Sequence, residues 1–192
     1  MALLVNGNSK LDKGVWCWSI TPVASCPNCK DCKDNCYALK SYNQYPAVKP
    51  CWDAHFELAK SGVFKGLIIK ELARKKQNKV TAIRIHVAGD FFSQQYVNDW
   101  MEIATLFPEF TFYSYTKTMH LFNFVEFNYL DNVNIINSIT DDGGINFGDE
   151  KYVTELQEKG YTICPAAYWK NLKCGSDCKL CYTKSKIAFL VH

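Results

Sequence analysis

Short apolar runs alternate along this chain with longer stretches whose apolar positions recur at helical spacing. Residues 15–20 read as a short strand, and residues 25–36 as a cysteine-rich loop. Residues 53–76 read as a helix or a helix pair, with Gly62 and Gly66 as points of interruption. Residues 80–87 are strand-like and end at Gly89 and Asp90. Ser93 can cap the next helix, whose apolar positions Val97, Trp100, Met101, Ala104 and Phe107 follow helical spacing until Pro108 stops it. Residues 110–116 form a second strong strand, 120–129 a short helix and 133–139 another strand. Residues 149–159 form a helix with Gly160 just past its end. Residues 161–164 and 186–191 are the last strand candidates.

Alternation of strands with helices predicts parallel βα units. Six strands, from 15–20 to 187–191, predict a six-stranded partial βα barrel, with an open doubly wound sheet as the alternative. Nothing divides residues 1–192, so a single α/β domain is expected, with residues 141–148 as a flexible loop. The chain has 192 residues, 48% of them hydrophobic, which is enough for a real core. A net charge of +3 gives no strong nucleic-acid signal. The chain has no apolar run long enough for a membrane span, and its start lacks the pattern of a signal peptide. A cytoplasmic location is expected. Partner and oligomeric state are not legible.

Ten cysteines change the picture, because clustered cysteines in a reducing compartment bind metal or do redox chemistry. Cys26, Cys29, Cys32 and Cys36 read C-x2-C-x2-C-x3-C, the ligand run of bacterial ferredoxins, with Tyr37 where those have proline. Cys174, Cys178 and Cys181 read C-x3-C-x2-C, with Cys164 ten residues before. All eight are candidate ligands for one or two [4Fe-4S] clusters. If only one forms, the Cys174–Cys181 trio with one cysteine from elsewhere is the favoured set. Structural zinc is the alternative. In a barrel the first and last strands are neighbours, so the loop 25–36 and the segment 164–181 are expected to meet at one face, near the strands' carboxyl ends. Cys17 and Cys51 read as buried small hydrophobes.

Arg84, His86 and Ala88 alternate onto one strand face, and Tyr115, Lys117, Ser138, Asp141 and Cys164 also sit at strand ends. Together they predict a polar pocket that takes a small-molecule substrate, with His86 as acid/base and Arg84, Asp90 and Lys117 positioning the substrate. A core histidine and a capping Asp90 are the structural alternative. A hydrolase centre for an ester or amide, pairing His86 with Ser93, Ser114 or Ser138 and with Asp90 or Asp141, is a further reading. G-x-S-x-G, G-x-G-x-x-G, Walker A and H-E-x-x-H motifs are all missing.

Several blocks resemble the phage "gene product eighty-eight" family: Cys26-Pro27, Cys36-Tyr37-Ala38, Trp52-Asp53-Ala54-His55, the run from Arg84 to Ser93, and Phe112 to Lys117. Cys164-Pro165 and the closing cysteines extend the likeness, which runs from about residue 16 to 182. The resemblance implies a protein encoded by a bacteriophage or prophage, acting in the infected bacterial host. It carries no assigned activity. The cysteine-rich entry is also similar to that of radical SAM proteins, which implies S-adenosylmethionine as a ligand. The three-residue gap comes last here and first in that signature. The expected function is an iron–sulfur enzyme. An electron carrier or redox sensor and a zinc-stapled module acting on a host protein are the alternatives.

Overall fold

The computed structural model describes residues 2–7, 10–29, 33–34, 36–75, 80, 82–122, 130–138, 150–165, 168–169, 171–183 and 186–188. Five strands form the main sheet: β1 (Val5–Asn6), β2 (Val15–Trp18), β3 (Ala82–Ile85), β4 (Thr111–Thr116) and β5 (Val133–Asn137). They lie in the order β1-β2-β3-β4-β5. β1 is antiparallel to β2, and the rest are parallel, with Trp16 beside Ile83, Ile83 beside Phe112 and Phe112 beside Val133. Spatial order therefore follows chain order with no reversal among the described strands, unlike the switch point of a doubly wound sheet. The last two expected strands are β6 (Thr162–Ile163) and β7 (Ile187–Ala188). They pair with each other, in parallel, as a separate sheet.

Helices α1 (Tyr37–Gln44), α2 (Val48–Lys60) and α3 (Val63–Lys75) fill the crossover from β2 to β3, and α4 (Gln94–Leu106) the crossover from β3 to β4. α5 (Glu150–Glu158) precedes β6. The α2–α3 break falls at Gly62, whose φ of +74° suits glycine, whereas Gly66 sits inside α3 and interrupts nothing. Pro50 lies in the first turn of α2, where a missing N–H costs little. Ser93 caps α4 by accepting from Tyr96 N at 3.2 Å. Asn132 then donates to the carbonyls of Ala104, Phe107 and Phe110 and fixes the turn between α4 and β4. Of the helix expected at 120–129, the described part is a 3₁₀ turn, Met119–Leu121. Residues 123–129 and the loop 141–148 lie outside the described residues.

Period-two alternation gives the sheet two unlike faces. Trp18, Ile83, Ile85, Phe112, Val133 and Ile135 pack against Phe64, Ile68, Leu72, Trp100 and Ile103 of the helices. Burying each such side chain is worth about 1.5–3 kcal/mol, so this face supplies most of the stability. The other face carries Val15, Cys17, Ala82, Tyr113 and Ile136. Chain from the C-terminal third covers it, through Cys164, Cys181 and Ile187.

Candidate metal centre

β3 runs straight into the expected polar constellation, but its last side chains part company. His86 has φ +67°, a left-handed conformation unusual for a non-glycine residue. The strand's alternation therefore ends at Ile85. His86 Nε2 lies 2.9 Å from the hydroxyl of Tyr96 on α4, which also accepts from Trp18 Nε1 at 2.8 Å. Its ring meets Phe91 edge-on at 4.7 Å. His86 thus belongs to the helix-covered core, while Arg84 lies over the ring of Tyr115 on the opposite face, with Cζ 5.1 Å from the centroid. The expectation that Arg84 and His86 share one pocket face is corrected by this backbone turn.

Burial, and next the charge of Arg84, push the His86 pKa down to about 3. The imidazole is neutral in the folded protein at all ordinary pH values. Between the unfolded value near 6.5 and the folded value near 3, only the unfolded chain takes the proton. The His86 contribution to stability is therefore complete above pH 6.5 and lost as pH falls through that window. The slope is up to about 1.4 kcal/mol per pH unit. His55 is held low in the same direction, chiefly by burial. Denaturant titrations at pH 7 and pH 5 should show this slope, and it should flatten in His86→Asn, whose side chain tolerates positive φ. Equal slopes in both proteins would sink the assignment.

Asp90 is a buried hub. Its Oδ1 accepts from Phe91 N at 2.7 Å and Thr116 Oγ1 at 2.6 Å, and Oδ2 from Lys117 N at 2.9 Å. Thr118 Oγ1 approaches Oδ1 at 3.4 Å. Burial raises the carboxyl pKa and these bonds oppose it. The carboxylate ties the end of β3 to the end of β4. Lys117 enters through its backbone: its carbonyl accepts from Asn28 Nδ2 at 2.8 Å, which anchors the cysteine loop above β4. The same loop presses on Gly89, where an added Cβ would lie 2.3 Å from Ile20 Cγ1 and 2.7 Å from Ser25 Oγ.

Within that loop Val23 has φ +66°, an outlier for a β-branched residue worth about 1–3 kcal/mol of strain. Its carbonyl accepts from Cys26 N at 3.1 Å and from Cys29 Sγ at 3.8 Å. Burial pushes the Cys26 thiol up to about 12, with the Val23 bond opposing and Asp90 adding. Cys36 directly precedes α1. Cys32 lies outside the described residues. Tyr37 donates to the Val87 carbonyl at 2.6 Å and lies within electrostatic reach of Arg84.

The C-terminal cysteines lie elsewhere on the sheet. Cys174 bridges to Leu11, just ahead of β2, and exchanges backbone bonds with Lys10 and Asp12. A side chain at Gly175 would meet Asp12 Cβ at 2.7 Å, and its φ is +115°, so only glycine lets the segment dock this closely. Cys174 also bridges to Cys178. Cys181 is buried, and its Sγ accepts from the Tyr115 hydroxyl at 2.8 Å. Asn134 Nδ2 holds the Cys181 carbonyl at 2.8 Å and bonds the Thr183 carbonyl as well. The segment therefore crosses the sheet face from the amino end of β2 toward Tyr115. The expected position at the strands' carboxyl ends is corrected for Cys174.

Cys174 and Cys181 lie within electrostatic reach of each other and of Cys164 and Cys178, and none of the four is in a disulfide. Burial raises the Cys181 thiol to about 11, with the Tyr115 bond opposing and the other three thiols adding. Cys174 moves up as well, again chiefly through burial. Among the described residues, no three or more His, Cys, Asp or Glu side chains converge on one ion-sized point. The quartet is thus a set of neighbours rather than a closed cage. Arg84 lies within electrostatic reach of Cys174 and of Tyr37, the residue after Cys36.

Of the remaining candidates, Cys17 is buried in the cluster with Cys164 and Cys181, whereas Cys51 is only half-buried. Cys51 Sγ lies 3.7 Å from His55 Nε2, and His55 is stacked on Trp18 at 4.2 Å with Nδ1 on the Ser19 carbonyl. An i,i+4 Cys–His spacing on α2 was the available sequence signal for that contact. The Ser93 hydroxyl caps α4, and the Ser114 hydroxyl donates to the Ile85 carbonyl at 2.6 Å. Asp141 lies outside the described residues. Two grooves, of about 330 and 250 Å³, open on α4 near Thr105 and Leu130, remote from the cysteines.

These features define an α/β protein with a mostly parallel sheet, helices on one face and a cysteine-bearing segment on the other. The family model described as "Gene product 88" matches residues 2–158, and the chain belongs to that family. The match starts earlier than the blocks at residues 16–182 and stops before Cys164, so the C-terminal quartet lies beyond it. No curated protein and no solved structure matches the chain. No described helix is long and apolar enough to cross a membrane.

Proposed function

We propose that this chain is a phage-encoded iron–sulfur protein. Cys164, Cys174, Cys178 and Cys181 would hold a [4Fe-4S] cluster against the open face of a partial βα barrel. The unreversed strand order supports the barrel arrangement. The observation that carries the metal reading is the gathering of four cysteines, none of them in a disulfide, in one neighbourhood of the sheet's open face. Four thiols in one neighbourhood are the donor chemistry that such a cluster needs. When bound, the group would supply one-electron transfer, or Lewis acidity if an iron were left open. Cys26, Cys29, Cys32 and Cys36 are the ligand set for a second cluster.

In this reading Arg84, Tyr37 and Tyr115 form the polar surface next to the cluster, and His86 is a core residue. Acid/base chemistry by His86 loses its support, because the ring is buried, neutral and turned from Arg84. Purification without oxygen, followed by iron, sulfide and zinc assays, tests the proposal. About four irons and four sulfides per chain are expected, and about eight of each if both groups are loaded. A colourless chain with zinc would replace the cluster with a structural zinc site. A metal-free chain would remove both.

A further inference from the structure

Arg84 on β3 is half-buried, and among the described residues no carboxylate forms an ion pair with it. Its electrostatic neighbours are the phenols of Tyr37, Tyr115 and Tyr113 and the thiol of Cys17. The Nε atom of its guanidinium is out of contact with solvent and has no hydrogen-bond acceptor. Tyr113 pairs in register with Arg84 on the next strand, is 1% exposed, and its hydroxyl is unpartnered as well. The same holds for the hydroxyl of Tyr182, whose ring lies 5.2 Å from that of Tyr113. Burial pushes both phenols up, so both stay protonated and able to donate at neutral pH. Protein interiors rarely leave buried donors unpaired. Three of them around one positive charge, on one sheet face, are a donor set suited to an acceptor-rich anion.

We propose that Arg84, Tyr113 and Tyr182 bind the oxyanion group, a carboxylate or a phosphate, of a small organic molecule. The planar guanidinium matches either group and keeps its charge at every working pH. Arg84 Cζ lies 5.1 Å from the centroid of the Tyr115 ring, and that contact restrains the side chain and lowers the entropy lost on binding. Tyr115 and Tyr182 are half-buried and Tyr37 is 68% exposed, so solvent reaches the rim of this face. Their rings offer apolar surface to the remainder of the ligand. The position, near the carboxyl end of β3, is where parallel α/β sheets take their ligands. None of these groups needs a metal for this role, so the site does not depend on the iron–sulfur reading.

The test is isothermal titration of the full chain, purified without oxygen and held at low salt, with phenyl phosphate, benzoate and inorganic phosphate in turn. At least one organic probe is expected to give saturable heat with a Kd of about 1 mM or tighter, and sodium chloride at matched ionic strength none. Phenyl phosphate against benzoate separates a phosphate ligand from a carboxylate one. Weaker binding of inorganic phosphate than of phenyl phosphate would show that the rings hold the organic part. Arg84→Met is expected to weaken the bound probe about tenfold or more, since it removes charge-assisted hydrogen bonds. Arg84→Lys should fall in between, because a point charge keeps the attraction and loses the fork. The Tyr113→Phe/Tyr182→Phe double variant should weaken the probe severalfold while melting no lower than the wild type without probe, as it deletes two unpaired hydroxyls. If Arg84→Met fails to fold, Arg84→Lys and the double variant carry the test. Probes that never saturate the wild type, or that bind the folded variants as tightly as the wild type, overturn the proposal. Iron and sulfide assays on the same preparation judge the cluster separately, so either reading can fail alone.

Discussion

Asp90→Ala is expected to destabilise the protein by about 3–5 kcal/mol, a large share of the about 5–15 kcal/mol that holds a domain folded. The carboxylate satisfies Phe91 N, Lys117 N and the Thr116 hydroxyl, and alanine would leave these donors without their acceptor. Each stranded buried donor costs about 1–3 kcal/mol, and relaxation recovers part of that. The loss reaches further than the hub, because the Lys117 carbonyl also anchors Asn28 in the cysteine loop. Asp90→Asn keeps one acceptor and turns an amide donor toward the others, so it should fall between alanine and wild type. Equilibrium unfolding in urea gives the comparison. A loss under about 1 kcal/mol for alanine would mean that water replaces the carboxylate.

The second large effect concerns metal content. If the proposed cluster sits on the C-terminal quartet, Cys181→Ser and Cys174→Ser, purified without oxygen, are expected to carry much less metal than the wild type, since each removes one of four donors. Cys17→Ala is the internal control. It lies in the same buried cluster but outside the quartet, and should keep its metal while losing about 1 kcal/mol of stability. Cys26→Ser separates the two cysteine groups. If it empties the chain while Cys181→Ser does not, the centre belongs to the loop after β2.

The strands β2 to β5 and the helix caps at Ser93 and Gly160 were legible, because period-two runs and capping chemistry act locally. β1 was not, since two exposed residues show no alternation. Helix α1 was hidden behind the cysteine run that precedes it. The face of His86 was read wrongly for a definite reason. Alternation presumes extended backbone, and one residue at φ +67° reverses it without any sign in the side-chain order. The Asp90 hub was half legible: capping was readable, but partners on the next strand are 26 and 27 residues away. Of the candidate site, spacing marked the cysteines, and the neighbourhood of Cys164 with Cys174, Cys178 and Cys181 took tertiary packing to establish.

The bridge between Leu11 and Cys174 joins positions about 160 residues apart, across nearly the whole described chain. Loop-closure entropy makes such a contact late and slow to form, after the local βα units have assembled. Until it closes, Cys174 and Cys178 sit on a strap that has not yet found the sheet, and their sulfurs are open to oxidants. Refolding with and without a thiol reductant is therefore expected to differ in the yield of intact protein, as strap docking competes with thiol oxidation. A reducing environment matters most during that interval, before the native state has been reached.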